Sequence, residues 1–195
     1  ARLSRFREKV LLLERPGLDR LLCMPFNEQT SQIPAEWFAE EFLTELVGAR
    51  YVVIGDDFRF GHERKGDFDL LQTTGARLGY EVISVDTVLQ GGDRVSSTLV
   101  RSTLSAGDFS KAAELLGHEY FIMGRVVYGR QLGRQLGVPT ANVKLQRYRA
   151  ALEGVYCVTV DGVAADGGTV QGIANIGVRP TVDGKEPLLE VHVFD

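Results

Sequence analysis

The spacing of apolar residues changes character once along this chain, close to Gly117. Before that point, helical and strand-like stretches take turns. In "RLSRFREKVLLLERPG", Leu3, Phe6, Val10 and Leu13 recur at helical spacing and the pattern stops at Pro16 and Gly17, which predicts an amphipathic helix. "DRLLCMPF" predicts a short apolar strand. "PAEWFAEEFLTELVG" opens on Pro34 with acidic residues behind it and closes on Gly48, the start and stop chemistry of a helix. "RYVVIG" predicts a buried strand, "DFDLLQTTGARLG" a helix, "YEVISVD" a strand, and "SSTLVRSTLSAGDFSKAAELLG" two helices broken at Gly107. Strands alternating with helices imply a parallel α/β sheet.

After Gly117 the helical period disappears. "YFIMGRVVY", "GVYCVTVDGV", "TVQGIANIGV" and "LLEVHVFD" are short β-rich runs separated by Gly, Asp and Pro, the pattern of an antiparallel barrel or sandwich. Two domains are therefore expected, residues 1–117 and 118–195, with the boundary at Gly117–His118 and no low-complexity linker between them.

Bulk composition narrows the class. The 195 residues are 44% apolar and 25% charged, as in ordinary globular proteins, and no apolar run approaches the length of a membrane span. The apolar run "VLLL" after the basic N-terminal stretch is too short for a secretion signal, so the cytoplasm is the expected compartment. Cys23 and Cys157 sit among apolar neighbours and are expected to be buried, reduced thiols. The three histidines, His62, His118 and His192, have no zinc-site spacing.

Charge adds something the spacing does not. The formal net charge is −4, yet Gly124–Arg149, "GRVVYGRQLGRQLGVPTANVKLQRYR", carries six Lys or Arg, four Gly and no Asp or Glu. Glycines let backbone N–H groups approach a phosphate, and Arg or Lys offset its charge. "GRVVYGRQ" nearly has P-loop spacing, but Arg130 and Gln131 replace the Lys and the Ser or Thr, and no helix pattern follows, so a Walker motif is rejected. An acidic chain with only Tyr128 and Tyr148 as stacking platforms here suits a small polyanion such as a nucleotide better than a nucleic acid. A plain turn-rich connection with a solvated basic surface is the competing reading. In "PTAN", Thr140 and Asn142 offer neutral hard oxygens suited to Mg²⁺ already held by phosphates, although the same residues also make ordinary turns.

Taken with "GVY" at 154–156, "NIGVRPTV" at 175–182 and "LLEVHVFD" at 188–195, the basic segment resembles riboflavin kinase. "VVIGDDFRFG", "GDFDLL" and "VSSTLVRSTLSAGDFSKAAELLG" resemble the FMN adenylyltransferase module fused to that kinase in bacterial bifunctional FAD synthetases. The resemblance implies a nucleotidyltransferase-type (Rossmann-like) parallel-sheet domain followed by an antiparallel six-stranded Greek-key barrel. It also implies two ATP-dependent steps, riboflavin to FMN and FMN to FAD, with Mg²⁺, ATP and flavins as ligands and neither nucleic acid nor membrane as partner.

Carried over residue by residue, the resemblance implies that Gly124, Arg125, Gly129, Gly133, Arg134, Gly137 and Pro139 cover the ATP phosphates. Thr140 and Asn142 would bind Mg²⁺, Glu190 would be the general base, with a solvated strand carboxylate as the alternative, and Asn175, Arg179, Pro180 and Thr181 would form a turn shaping the site, with a plain strand connection as the alternative. Period-two alternation in the last strand sets Leu189, Val191 and Val193 on one face and Glu190 and His192 on the other, with no role for His192. Ser96, Ser97, Thr98 and Arg101 stand at a helix N-terminus suited to a triphosphate, where a simple Ser cap is the alternative. Asp57 stands where the family often has Asn. The H-x-G-H pair of the adenylyltransferase module occurs nowhere in these residues, and the chain stops within a strand pattern, so it is expected to be incomplete at both ends. A non-catalytic β-barrel module for RNA or another polyanion, with an α/β partner domain, is the alternative function. A kinase joined to an inactive scaffold is a third.

Overall fold

A computed structural model describes residues 2–128, 133, 137–147, 149–164, 167–181 and 184–194, with the backbone alone for 179–181 and 184–186. In chain order the helices are α1 (Phe6–Glu14), α2 (Glu28–Ser31), α3 (Ala35–Trp37), α4 (Phe68–Leu78), α5 (Ser97–Ser105) and α6 (Phe109–Leu116). The strands are β1 (Tyr51–Gly55), β2 (Glu81–Val85), β3 (Leu89–Gln90), β4 (Asp93–Arg94), β5 (Arg125–Val127), β6 (Ala141–Lys144), β7 (Gly154–Asp161), β8 (Thr169–Thr181) and β9 (Gly184–Val193). The chain packs as two compact units, Arg20–Arg94 and Ala1–Asp19 with Val95–Asp195.

In the unit Arg20–Arg94, β1 and β2 pair in parallel, from Tyr51 opposite Glu81 to Gly55 opposite Val85, with α4 as the crossover. Asp67 caps α4 by accepting from the Leu70 N–H at 3.0 Å, and Gly79 ends it in the left-handed region. A side chain at Gly75 would lie 2.4 Å from the Tyr80 carbonyl, so glycine lets α4 close directly onto the strand that follows. The helix expected after Pro34 forms as α3 continued by a π-helical segment, Phe38–Leu46, whose Ala39 and Leu43 join Phe60, Leu71 and Tyr80 in the core. Two expectations need correction. "DRLLCMPF" forms no strand and pairs with none among the described residues, and Leu21, Leu22, Met24 and Phe26 stay exposed. "RYVVIG" is a strand but only half-buried, because Tyr51 and Val53 project from the uncovered face.

The other unit is built on an antiparallel sheet of five strands in the order β5-β6-β9-β8-β7. Its apolar face carries Ala174, Ile176, Leu189 and Val191, which share one core with Val100 and Leu104 of α5 and Ala112 and Leu115 of α6. The mixed α/β class is thus a parallel strand pair in one unit and a five-stranded antiparallel sheet in the other. β6 is a strand although Pro139 and Asn142 are also ordinary turn formers. Of the two readings of Asn175, Arg179, Pro180 and Thr181, a turn or a plain strand connection, the second holds: the β-rich run continues as strand to Thr181 because each residue finds a partner in β9. Cys23 and Cys157 are free thiols but exposed: Cys157 alternates outward along β7, and Cys23 lies in the segment without a strand.

One buried ion pair ties the N-terminal helix to the sheet unit. Glu8 is 1% exposed, and both of its oxygens accept from Arg147 Nη2, at 2.8 and 2.9 Å. Glu8 also accepts from the Met123 N–H at 2.8 Å, directly before Gly124. Tyr120 completes the knot by donating to the Leu3 carbonyl at 3.0 Å, and burial raises its pKa above the usual phenol value, partly offset by Arg147. Taking one partner from such a pair strands a charge out of water, whereas replacing both by apolar residues removes the desolvation cost with the attraction. Arg147→Met should therefore cost about 3–5 kcal/mol in urea unfolding. Adding Glu8→Leu should recover most of that loss; a double variant no more stable than Arg147→Met would contradict this account.

Candidate functional site

The site follows from strand register. Asn142 of β6 lies opposite Glu190 of β9, and Glu190 lies opposite Asn175 of β8. Val127 of β5 and Val155 of β7 complete the row at its two ends. Directly opposed residues share a face. The rows on either side, Ala141–Val191–Ala174 and Val143–Leu189–Ile176, therefore point the other way, into the core under α5 and α6. Three residues far apart in sequence thus form one polar row. Among the described residues, none of the three side chains is engaged in a hydrogen bond or ion pair, so a carboxylate and two amides stand ready for a ligand.

Two positions along the same face, Arg125 lies opposite Lys144. Both are exposed, and among the described residues neither has a carboxylate partner. Like charges set directly across a sheet repel, so this pair costs stability until an anion joins it. Lys144 was overlooked in the sequence; its spacing of two from Asn142 is the signal, legible only once "ANVK" is known to be a strand.

Upstream, Gly124 and Gly133 are required by space and Gly137 by its left-handed backbone. A side chain at Gly124 would lie 2.5 Å from the Val143 side chain and 2.8 Å from the Lys144 carbonyl, so β5 could not enter its pairing with β6. Further on, the Gly133 carbonyl accepts from the Val138 N–H at 2.8 Å, and Gly137 has φ +76. A side chain at Gly133 would meet the Val138 carbonyl at 2.3 Å. These contacts hold Val138 beside Gly133, directly before Pro139 and the exposed Thr140, which precedes β6. Gly129 and Arg134 lie outside the described residues, and Arg179 and Thr181 are described by their backbone positions in β8.

The hydroxyl cluster at α5 is arranged chiefly as a helix start. Ser96 is the N-cap and accepts from the Leu99 N–H at 3.2 Å, while Arg101 donates to the Ser97 hydroxyl at 3.3 Å. Ser97 and Thr98 are exposed, which leaves their hydroxyls open to solvent. Asp57 belongs to the other unit, in the turn after β1, where it pairs with Arg94 at 2.5 Å beside an Asp56–Thr87 hydrogen bond of 2.9 Å. The described residues include no group of three or more His, Cys, Asp and Glu able to hold a metal, and no helix long and apolar enough to cross a membrane.

An α/β chain whose sheet presents a carboxylate, two amides and an unmatched cation pair has the parts to handle a phosphorylated ligand. The family model for FAD synthetase matches residues 1–99, and that for riboflavin kinase matches residues 116–195. The chain belongs to the FAD synthetase family. It is 44% identical over all 195 residues to the bifunctional riboflavin kinase/FMN adenylyltransferase of Escherichia coli K12, and spans 62% of that protein. Over 181 residues it is 50% identical to the protein of the same name from Pseudomonas fluorescens, with 92% of this chain and 57% of that one covered. A crystal structure described as a macrolide-efflux protein from Streptococcus pneumoniae superposes with a TM-score of 0.79 at 30% identity, over 99% of this chain and 61% of that one. The chain therefore spans about three-fifths of the length of these relatives.

The repulsion between Arg125 and Lys144 has a measurable consequence. At low salt and without nucleotide, Arg125→Gln should stabilise the fold by about 0.2–1 kcal/mol in urea unfolding. The gain should vanish near 1 M salt, where the screening length falls to about 3 Å. A loss of stability at low salt would show that the two cations are not opposed.

Proposed function

We propose that the protein to which this chain belongs makes flavin nucleotides, phosphorylating riboflavin to FMN and adenylylating FMN to FAD. The observation that carries the reading is the row Asn142–Glu190–Asn175 beside the Arg125–Lys144 pair. In this reading the kinase chemistry belongs to residues 118–195, whose strands are the larger part of a six-stranded Greek-key barrel. The adenylyltransferase chemistry belongs to residues 1–117: Ser96, Ser97, Thr98 and Arg101 at the start of α5 suit a triphosphate, and Asp57, in the turn after β1, is a separate candidate for nucleotide contact. The partners are small molecules, riboflavin, FMN and ATP, rather than nucleic acid or membrane.

The kinase step follows from the site's chemistry. Glu190 accepts the proton of the ribityl 5′-hydroxyl as that oxygen bonds to the γ-phosphorus of ATP. The bond to the β–γ bridging oxygen breaks, and ADP leaves with its electron pair. Arg125, with the backbone around Gly124, Gly133 and Gly137, offsets phosphate charge, and Asn175 orients the flavin beside Glu190. Thr140 and Asn142 suit Mg²⁺: both are neutral hard oxygen donors, and with no cluster of three or more His, Cys, Asp and Glu among the described residues a Mg²⁺ ion here would arrive on the nucleotide's own phosphates. When bound, the ion would neutralise charge on the transferring phosphoryl group.

Two substitutions test this assignment. Glu190→Gln keeps the shape and removes the basicity, so single-turnover phosphorylation of riboflavin should slow by about 10²–10⁴-fold with ATP affinity little changed. Asn142→Ala should raise the Mg²⁺–ATP requirement and lower turnover while pyrophosphate release from ATP and FMN continues. A Glu190→Gln enzyme within a few-fold of wild type, or equal loss of both activities in folded Asn142→Ala, would contradict it.

A further inference from the structure

His192 has no role in the reading above, yet the structure gives it a specific bond. Its Nδ1 lies 2.7 Å from the carbonyl oxygen of Pro139. A carbonyl can only accept, so Nδ1 carries the proton and donates. The imidazole is half-buried, opposite Ile173 in the β8–β9 ladder, and its ring meets Phe194 edge-on at 5.9 Å. Its aim is thus fixed from two sides.

The acceptor's position gives the bond its meaning. Pairing of β6 with β9 begins at Ala141 opposite Val191. Upstream of that pair, Pro139 has no N–H with which to extend the ladder. Thr140 stands between the last ladder pair and the proline, and is exposed. The His192 side chain therefore bonds the backbone just where main-chain pairing stops, one residue before the Thr140 hydroxyl and three before Asn142.

We propose that His192 is a positioning residue for the Mg²⁺–nucleotide subsite: through the Pro139 carbonyl it fixes the backbone that presents the Thr140 hydroxyl. It touches neither substrate nor the reacting atoms. This inference rests on the riboflavin kinase reading of the same face. It assigns a function to the face-mate of Glu190, and it separates two effects that alternation alone would merge, proton acceptance by Glu190 and backbone placement by His192.

The test uses two variants of the protein that divide the imidazole's features. His192→Phe keeps a ring against Phe194 and removes the donor. His192→Asn gives up the ring and keeps an N–H close to the position of Nδ1. A neutral hydrogen bond is worth a factor of about three to ten in affinity. His192→Phe should weaken binding of Mg²⁺ with a non-hydrolysable ATP analogue, measured by calorimetry without flavin, by about that factor. The KM for Mg²⁺–ATP should rise in parallel, with kcat changed less. His192→Asn should return both values to within about twofold of wild type. In the nucleotide-free protein, the Thr140 methyl resonance should move in His192→Phe and stay near its wild-type position in His192→Asn.

The outcomes are distinguishable. A wild-type protein unable to phosphorylate riboflavin overturns the kinase reading and this inference with it. With an active wild type, unchanged Mg²⁺–nucleotide binding in His192→Phe overturns the positioning role alone. So does a defect confined to kcat, or one that His192→Asn does not repair.

Discussion

Strand register is the constraint on which the rest of this structure depends. Side chains alternate across a sheet with a period of two, so a slip of one residue in β9 would exchange its faces. Leu189 and Val191 would leave the core they share with α5 and α6, and Glu190 would be driven into it. The burial that stabilises the sheet and the placement of the polar row are therefore one requirement. Selection for a folded sheet also holds Asn142, Glu190 and Asn175 in line across three strands.

Other features serve that register. Gly124 admits β5 to its place beside β6, where a side chain would collide with Val143. Glu8 accepts from the Met123 N–H, immediately before that glycine, and pairs with Arg147, shortly after β6 ends. The strands β5 and β6 are thereby anchored at their outer ends to α1, a helix more than a hundred residues away in sequence. On the polar face Arg125 lies opposite Lys144, and among the described residues neither has a carboxylate partner, so the pair costs stability.

Much of this was legible in the sequence wherever a single period governed a segment. The two helices broken at Gly107, the helix 68–78 and the strands 81–85 and 154–161 follow directly from apolar spacing. The alternation of Leu189, Glu190, Val191 and His192 also reads off the residues, since every second position in a strand faces the same way. Failures came where tertiary pairing overrode local composition. Pro139 and Asn142 suggest a turn, yet Asn142 is in a strand because β5 and β9 flank it. Arg179 to Thr181 also suggest a turn, and the ladder with β9 makes them strand. Conversely, "DRLLCMPF" has the apolar character of a strand, yet among the described residues none pairs with it. The bonds from Glu8 to Arg147 and from His192 to Pro139 join residues 139 and 53 positions apart, beyond the reach of any local pattern.

Ligands of this sheet are expected to bind on the face of the polar row and not on the opposite, helix-covered face. Side-chain amide resonances of Asn142 and Asn175, followed by nuclear magnetic resonance while Mg²⁺, ADP and riboflavin are added, test it most directly. The account predicts saturable shifts of both amides, with the methyl groups of Leu189, Val191 and Ile176 nearly unmoved. Shifts concentrated on those methyl groups, with both asparagine amides silent, would contradict it.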